Sequence, residues 1–273
     1  MKSVRLAKFL GISRSALRFY EKKKFISPLR DDSNERVYSS SDVINILEAI
    51  RYTKYGFNLY ELPEPQDQPG FDGAITAVTQ KLNEAAVFHK NNISSSTILL
   101  PLIEEAYNTT ASLKRNLGRY WFEHHPVFVC RKFGYFFPDS SSEFISPTES
   151  IADWFEYIPY SSIEMFSSFD PVSRKLIEKH WAFLINLDIA ATLRLCDTEN
   201  TVQIPEATYL ATVIRVKKSA ESLISGLEDV ISHAYEEGLP VADAHSVLAR
   251  MYLHTVEDDV HYYYYKVRIP LTE

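Results

Sequence analysis

The chain has 273 residues, 45% of them hydrophobic and 24% charged, with only 8 Gly and 13 Pro. This composition excludes extended disorder, collagen-like repeats and low-complexity tracts, and the length suits two or three compact units. The formal net charge of −7 is unevenly spread, since residues 1–60 hold 12 Lys and Arg against 6 Asp and Glu, and the remainder holds 17 against 30.

A basic head on an acidic body suits a polyanion-binding module carried by a soluble partner domain. The first residues, MKSVRLAKFLGIS, lack the apolar run of a signal peptide, and no segment approaches a membrane span. The expected location is cytoplasmic, with no membrane partner. Ser3 is placed to cap a short helix with Val4, Ala7 and Leu10 at helical spacing. Gly11 supplies a turn, and Ser13 is placed to cap a second helix over 14–22, with Ala16, Leu17 and Tyr20 along it. Such a pair suits either a helix-turn-helix or a plain structural hairpin. The next residues along the chain favour the helix-turn-helix. Lys22-Lys23-Lys24, Phe25-Ile26, Pro28, the polar turn Asp31-Asp32-Ser33-Asn34 and the return Arg36-Val37-Tyr38 read as a β-wing. Ser39-Ser40-Ser41-Asp42 is a capping-box pattern ahead of an apolar helix with Val43, Ile46, Leu47 and Ile50.

Leu17-Arg18-Phe19-Tyr20-Glu21-Lys22-Lys23, Ile26-Ser27-Pro28, Arg36-Val37-Tyr38-Ser39 and Gly56-Phe57 resemble the MerR family of transcription regulators in order and spacing, over roughly residues 3–62. The resemblance implies a homodimer on double-stranded promoter DNA, with the second helix of each subunit in a major groove. Candidate DNA-binding residues are Ser13, Arg14, Ser15, Arg18, Tyr20, Lys22, Lys23, Arg36 and Tyr38. Arg18 and Arg36 suit bidentate bonds to phosphate, Tyr20 and Tyr38 offer hydroxyls to it, and Lys22 to Lys24 add salt-dependent affinity. The bland reading keeps the lysines as a solvated face and the tyrosines as core. Members of the family usually carry a basic residue where this chain has Ser15, one position after Arg14, and a glycine at the wing where it has Asn34. Asn tolerates positive φ there.

Residues 63–70, PEPQDQPG, read as a linker. Ile75, Val78, Leu82, Ala85 and Ala86 then keep helical spacing, with His89 and Asn92 standing where apolar residues are wanted. The family's dimers are held by a helix from this region. A dimer helix is favoured over a helix packed on its own chain.

From Leu117 the pattern changes. Strands are expected over 119–123, 127–133, 184–193 and 209–216, and a helix from Ser146-Pro147-Thr148-Glu149 carries Ile151, Trp154, Phe155 and Ile158. Ser219 caps an amphipathic helix that Gly238 ends, and a last strand over 261–269 is stopped by Pro270. Cys130 and Cys196 are far apart with no CxxC spacing, so no metal site or cofactor is expected. The expected fold class is α+β multidomain. It comprises a winged helix-turn-helix over 1–69, a connecting dimerisation helix over 70–115, and an antiparallel-sheet α+β domain over 116–273. The element order and the ending Lys266-Val267-Arg268-Ile269-Pro270-Leu271 are similar to GyrI-like effector-binding domains, as in multidrug-responsive regulators of the BmrR type.

In the last strand Tyr262, Tyr264, Lys266 and Arg268 share one face, and Tyr263, Tyr265, Val267 and Ile269 the other. By resemblance, a glutamate that meets cationic drugs commonly stands where this chain has Lys266. Three readings stay open: an anionic or neutral ligand against Lys266, a cation met by Glu206 or Glu143 instead, or a Lys266 paired internally with no ligand. Candidate ligand-binding residues for a small hydrophobic or aromatic effector are Tyr262, Tyr264, Lys266, Tyr209, Trp154, Phe155 and Glu206. By resemblance, effector binding would change DNA twist or bend so that RNA polymerase can use a poorly spaced promoter. Rival readings are an architectural DNA binder with a ligand-free C-terminal domain, and a GyrI-like hydrolase using Glu143 or Glu206. No triad or phosphate-cradling loop supports catalysis, so no catalytic residue is expected.

Overall fold

Gly11 and Ser13 make the first corner of the fold. Gly11 closes α1 (Ser3–Leu10) at φ 65°, and Ser13 Oγ accepts from Ala16 N at 3.1 Å to start α2 (Arg14–Lys22). The structure, a computed structural model, describes residues 1–58, 70–90, 96–135, 151, 154–195, 201–242 and 246–272. Ser3 is the first helical residue of α1 rather than its cap; the cap position belongs to Lys2, whose side chain has no acceptor to offer and pairs with Glu35 and Asp31. The wing is β1 (Leu29–Arg30) paired antiparallel with β2 (Arg36–Val37). Its turn is held by Asp31 Oδ1, which accepts from Ser33 N and Glu35 N, with Asn34 at φ 60°.

Helix α3 (Ser40–Lys54) starts with the expected capping box: Ser39 Oγ accepts from Asp42 N, and Asp42 Oδ2 accepts from Ser39 N. The buried Asp42 carboxylate also accepts from Ser27 N at 3.0 Å, tying the wing's entry to this helix. Asp42→Ala is therefore expected to cost about 2–4 kcal/mol, against about 1 for Ser39→Ala. Urea denaturation of the two variants checks this; equal losses would mean that the Ser27 bond contributes nothing.

The connecting segment, expected as a helix interrupted by the polar cluster at 91–96 and resuming over 98–106, is two helices, α4 (Gly70–Lys90) and α5 (Ser96–Asn116), packed against each other and against their own chain. Leu99, Ile103, Ala106, Thr110 and Leu113 are the buried stripe of α5, and Ala74, Leu82, Ala85 and Ala86 are buried on α4. His89 falls on the buried face because it has a partner there, with Nε2 3.2 Å from the carbonyl of Tyr55 at the end of α3. The linker at 63–69, Asn92, and the helix start at 146–149 lie outside the described residues.

Among the described residues after α5, the strands form one antiparallel sheet of eight in the order β3-β8-β10-β9-β5-β6-β4-β7. These are β3 (Tyr120–His125), β4 (Phe128–Tyr135), β5 (Ser162–Phe169), β6 (Leu176–Asn186), β7 (Thr201–Ile204), β8 (Ala207–Lys217), β9 (Val247–Glu257) and β10 (Val260–Leu271). The strand expected over 184–193 stops at Asn186, whose Oδ1 accepts from Asp188 N and turns the chain into α6 (Leu187–Thr192). Strand β10 does not stop at Pro270. Its pairing with β9 ends at Arg268, and the Pro270 carbonyl accepts from Ala242 N on that open side. The missing proline N–H would point the same way, so no strand bond is lost.

Side-chain alternation divides the sheet into two covered faces. One packs against α7 (Ala220–Glu236), capped by Ser219, and against the N-terminal module, in a single core running from Leu6 and Phe9 through Trp181 and Phe183 to Val267 and Ile269. Ile151 N donates to Phe9 O at 3.2 Å, and Asn45 Nδ2 to Tyr263 Oη at 3.4 Å, so α1 and α3 are bonded to this side directly. The other face lies under the α4–α5 hairpin, where Phe71 stacks on Tyr264 at 4.2 Å between ring centroids. In β9 one residue, Tyr252, is extra, because Tyr264 faces Leu253 while Tyr265 faces Met251. This bulge re-aims Tyr252 among its neighbours. No helix among the described residues is long and apolar enough to cross a membrane.

Candidate functional site

Helix α2 separates its residues cleanly. Leu17 and Tyr20 are buried toward the scaffold, while Arg14, Arg18 and Lys22, spaced by four, lie exposed along the opposite face together with Ser13 and Ser15. Arg14, Arg18 and Lys22 have no ion-pair partner among the described residues. Arg36 is half-buried at the wing's base, and its Nε donates to Glu21 Oε2 at 2.7 Å, so one charge is matched within the module. Tyr20 and Tyr38 are 6% and 1% exposed, and burial raises the Tyr20 hydroxyl above its ordinary pKa. Both rings belong to the core of the module. Lys23 is half-buried at the helix end.

The hairpin-covered face of the sheet holds an unusual density of charge. Arg268 on β10 donates to Glu164 on β5, both side chains buried, and Ser162 Oγ donates to the second Glu164 oxygen at 2.6 Å. Burial alone would raise the Glu164 carboxyl; the charges of Arg268 and then Arg250 overcome it and hold it below its ordinary value. His125 Nε2 stands between Arg268 Nη1 at 3.3 Å and Glu123 Oε1 at 2.7 Å. Glu123 also accepts from Trp121 Nε1 and lies 2.8 Å from Lys266 Nζ. Burial pushes Glu123 up, but His125 and Lys266 more than offset it, and the carboxyl titrates at about 2. Lys266 is thus paired inside the protein.

The expected ligand residues do not form one site. Lys266, with Trp121 and Glu123, edges an open groove of about 520 Å³ beside the end of α5. Tyr264 is buried beneath Phe71, and Tyr262 lies under Arg215, whose guanidinium is 3.7 Å from the ring centroid. Trp154 and the half-buried Phe155 belong to the opposite face, where Trp154 stacks on Phe183; the sheet separates them from Lys266. Tyr209 is fully buried with its ring edge-on to His125 and its hydroxyl without a partner among the described residues. Glu206 is exposed in the β7–β8 turn, and Glu143 lies outside the described residues.

Two partly open pockets lie elsewhere among the described residues. A cavity of about 250 Å³ opens between α5, the β3–β4 turn and strands β9 and β10; Arg250, Arg268 and Glu164 line it with Tyr55, Tyr160 and Phe128. A smaller apolar slot of about 120 Å³ lies between α3, α4 and β9. Tyr252, the bulge residue, lines both. Arg250 escapes a reading of the sequence, although a lone arginine inside the run Val247–Leu253 is a signal, since a charge in a buried strand demands a partner. Among the described residues no cluster of His, Cys, Asp or Glu could hold a metal ion.

Residues 5–38 match the MerR family regulatory protein family, so the N-terminal module is a MerR-family domain. No curated protein sequence matches the chain. Among solved structures, a cryo-EM structure of an EcmrR–DNA complex in EcmrR-RPo aligns over 99% of this chain and 98% of that one, at 12% identity and a TM-score of 0.34. The structure of SAV2435 bound to tetraphenylphosphonium aligns over 56% of this chain and 93% of that one, at 9% identity and a TM-score of 0.31. A putative bacterial transcription regulation protein from Staphylococcus aureus MU50 aligns over 56% and 98%, at 7% identity and a TM-score of 0.30.

Proposed function

We propose that the chain is a DNA-binding transcription regulator that lays α2 in the major groove of promoter DNA and senses a small molecule on the hairpin-covered face of its sheet. The observation that carries the DNA-binding reading is the exposed stripe Arg14, Arg18 and Lys22 on the second helix of a MerR-family domain. Its charges are free for phosphate, and Ser13 and Ser15 lie beside them at the helix start. A single such module grips only one half-site, so the working species is a homodimer that acts with RNA polymerase on a pseudo-palindromic promoter.

The effector reading rests on the 250 Å³ cavity rather than on Lys266, whose charge Glu123 already meets. Tyr55, at the end of α3, is part of the cavity wall and donates to Pro159 O at 3.2 Å. An effector there touches the DNA-binding module itself, which gives occupancy a direct route to the angle at which α2 is presented.

Arg18→Ala tests the DNA reading. Its affinity for promoter DNA is expected to fall, and the slope of log affinity against log salt to shrink by about 0.9, one phosphate contact's share. Fluorescence anisotropy from low to physiological salt reads both. Unchanged affinity and slope would remove α2 from the interface.

A further inference from the structure

We propose that the cavity between α5, β9 and β10 takes an organic carboxylate with an apolar body of one or two rings, its anionic end held by Arg250 beside Arg268. The inference deepens the effector reading above and depends on it.

The argument is one of unequal compensation. Glu164 is committed to Arg268 and Ser162, which leaves that pair close to neutral. Arg250 has no hydrogen-bonded carboxylate among the described residues, although Glu105, Glu48 and Glu164 all act on its charge from farther off. Its nearest carboxylate is Glu105 on α5, 3.9 Å away and with a side chain 50% exposed, whereas the Arg250 side chain is only 12% exposed. Its guanidinium lies over the Tyr252 ring at 4.7 Å from the centroid, a contact that satisfies no N–H donor. The Nε atoms of Arg250 and Arg268 are both buried with no hydrogen-bond partner among the described residues. A guanidinium carries five donors in a fixed fork, and a buried one facing a cavity is matched by a planar carboxylate. An organic cation entering the same space would meet two guanidiniums, with Glu164 already taken and only the half-exposed Glu105 to receive it. The remaining wall, with Phe128, Tyr160 and Leu184, asks for an apolar body behind the charged end.

The probes are 1-naphthoate, its neutral amide and 1-naphthylmethylammonium, titrated against the full chain by calorimetry. Naphthoate is expected to bind best. Arg250→Gln is expected to weaken it by about tenfold to a hundredfold, the effect of one charge-assisted bidentate contact. Glu105→Gln, a change at a half-exposed side chain, is expected to tighten it, because the competing carboxylate is gone. That variant keeps the proposal open to refutation even if Arg250→Gln does not fold. Preference for the ammonium probe, or equal naphthoate affinity in wild type and both variants, overturns the carboxylate assignment while leaving an effector cavity in place. Binding of none of the probes overturns the carboxylate site and the effector reading together, and the salt-slope test on Arg18 then stands alone.

Discussion

Arg268→Met is expected to destabilise the protein by about 3–5 kcal/mol, because it leaves the Glu164 carboxylate buried and without its counter-charge. The number comes from asymmetry. Two charges brought out of water into the sheet are costly, and their attraction to each other repays most of that cost only while both are present. Glu164 cannot turn to solvent, since β5 is flanked by β9 and β6 and its side chain is 3% exposed. Its other aids are Ser162 Oγ and the more distant charge of Arg250. The double variant Glu164→Leu/Arg268→Met is expected to recover most of the loss, which urea denaturation of the two single variants and the double variant reads as a coupling energy. A double variant no more stable than Arg268→Met would mean that the pair is not what Arg268 contributes, and that its alkyl stem packing is.

How much of the fold is legible in the sequence depends on the range of the interactions. The Ser13 cap, the Ser39/Asp42 box, the Asn34 turn and the Ser219-capped helix are all settled within four residues, and each is readable as a local pattern. Strands β5, β6 and β9 are not readable as a set. In β5 and β6 Glu164 and His180 stand buried among apolar residues, and in β9 burial alternates from Ala249 to Val256 while Tyr252, Thr255 and Val256 blur that alternation in hydrophobicity, so the polar–apolar pattern that marks a half-exposed strand is broken. The charged cluster is half legible. Lys266 and Arg268 stand out as charges in a terminal strand, but their partners Glu123 and Glu164 sit more than a hundred residues earlier, with no spacing to announce them. The aromatic candidates fail for a related reason. Composition groups Trp154 and Phe155 with Tyr264, and only the sheet's order shows that they lie on its other side. The doubled-back hairpin is ambiguous in principle, since a stripe that seals a dimer and one that packs on its own sheet have the same period.

Acid is expected to weaken the fold from a higher pH than carboxylate titration alone would allow. His254 on β9 lies 2.9 Å, Nε2 to Nδ1, from His261 on β10 and stacks on Tyr263 at 4.6 Å between ring centroids. Burial first, then the neighbouring His261 and Lys218, push its pKa from an ordinary 6.5 down to about 3. Between those two values the unfolded chain holds a proton that the folded chain refuses. Stability is complete above about pH 6.5 and is lost as pH falls toward 3, by about 3–5 kcal/mol in all for this one group. Glu123 acts later. Held at about 2 against an ordinary 4.5, it contributes stability that is present above 4.5 and disappears only below that. The first loss therefore belongs to histidine and the second to the carboxylate. It also has a location, because Lys218, beside the histidines, lies 3.7 Å from Asp42 in the capping box of α3. Charging His254 strains the contact between the DNA-binding module and the sheet. Urea midpoints from pH 7.5 to 4.5 should fall steadily in the wild type, and His254→Phe, which keeps the ring on Tyr263, should remove the larger part of that slope. The remainder is assigned to His261 and His180, both also lowered by burial. A wild type flat down to pH 5 would mean that His254 opens to solvent in the folded state; a full slope in the variant would move the switch to His261.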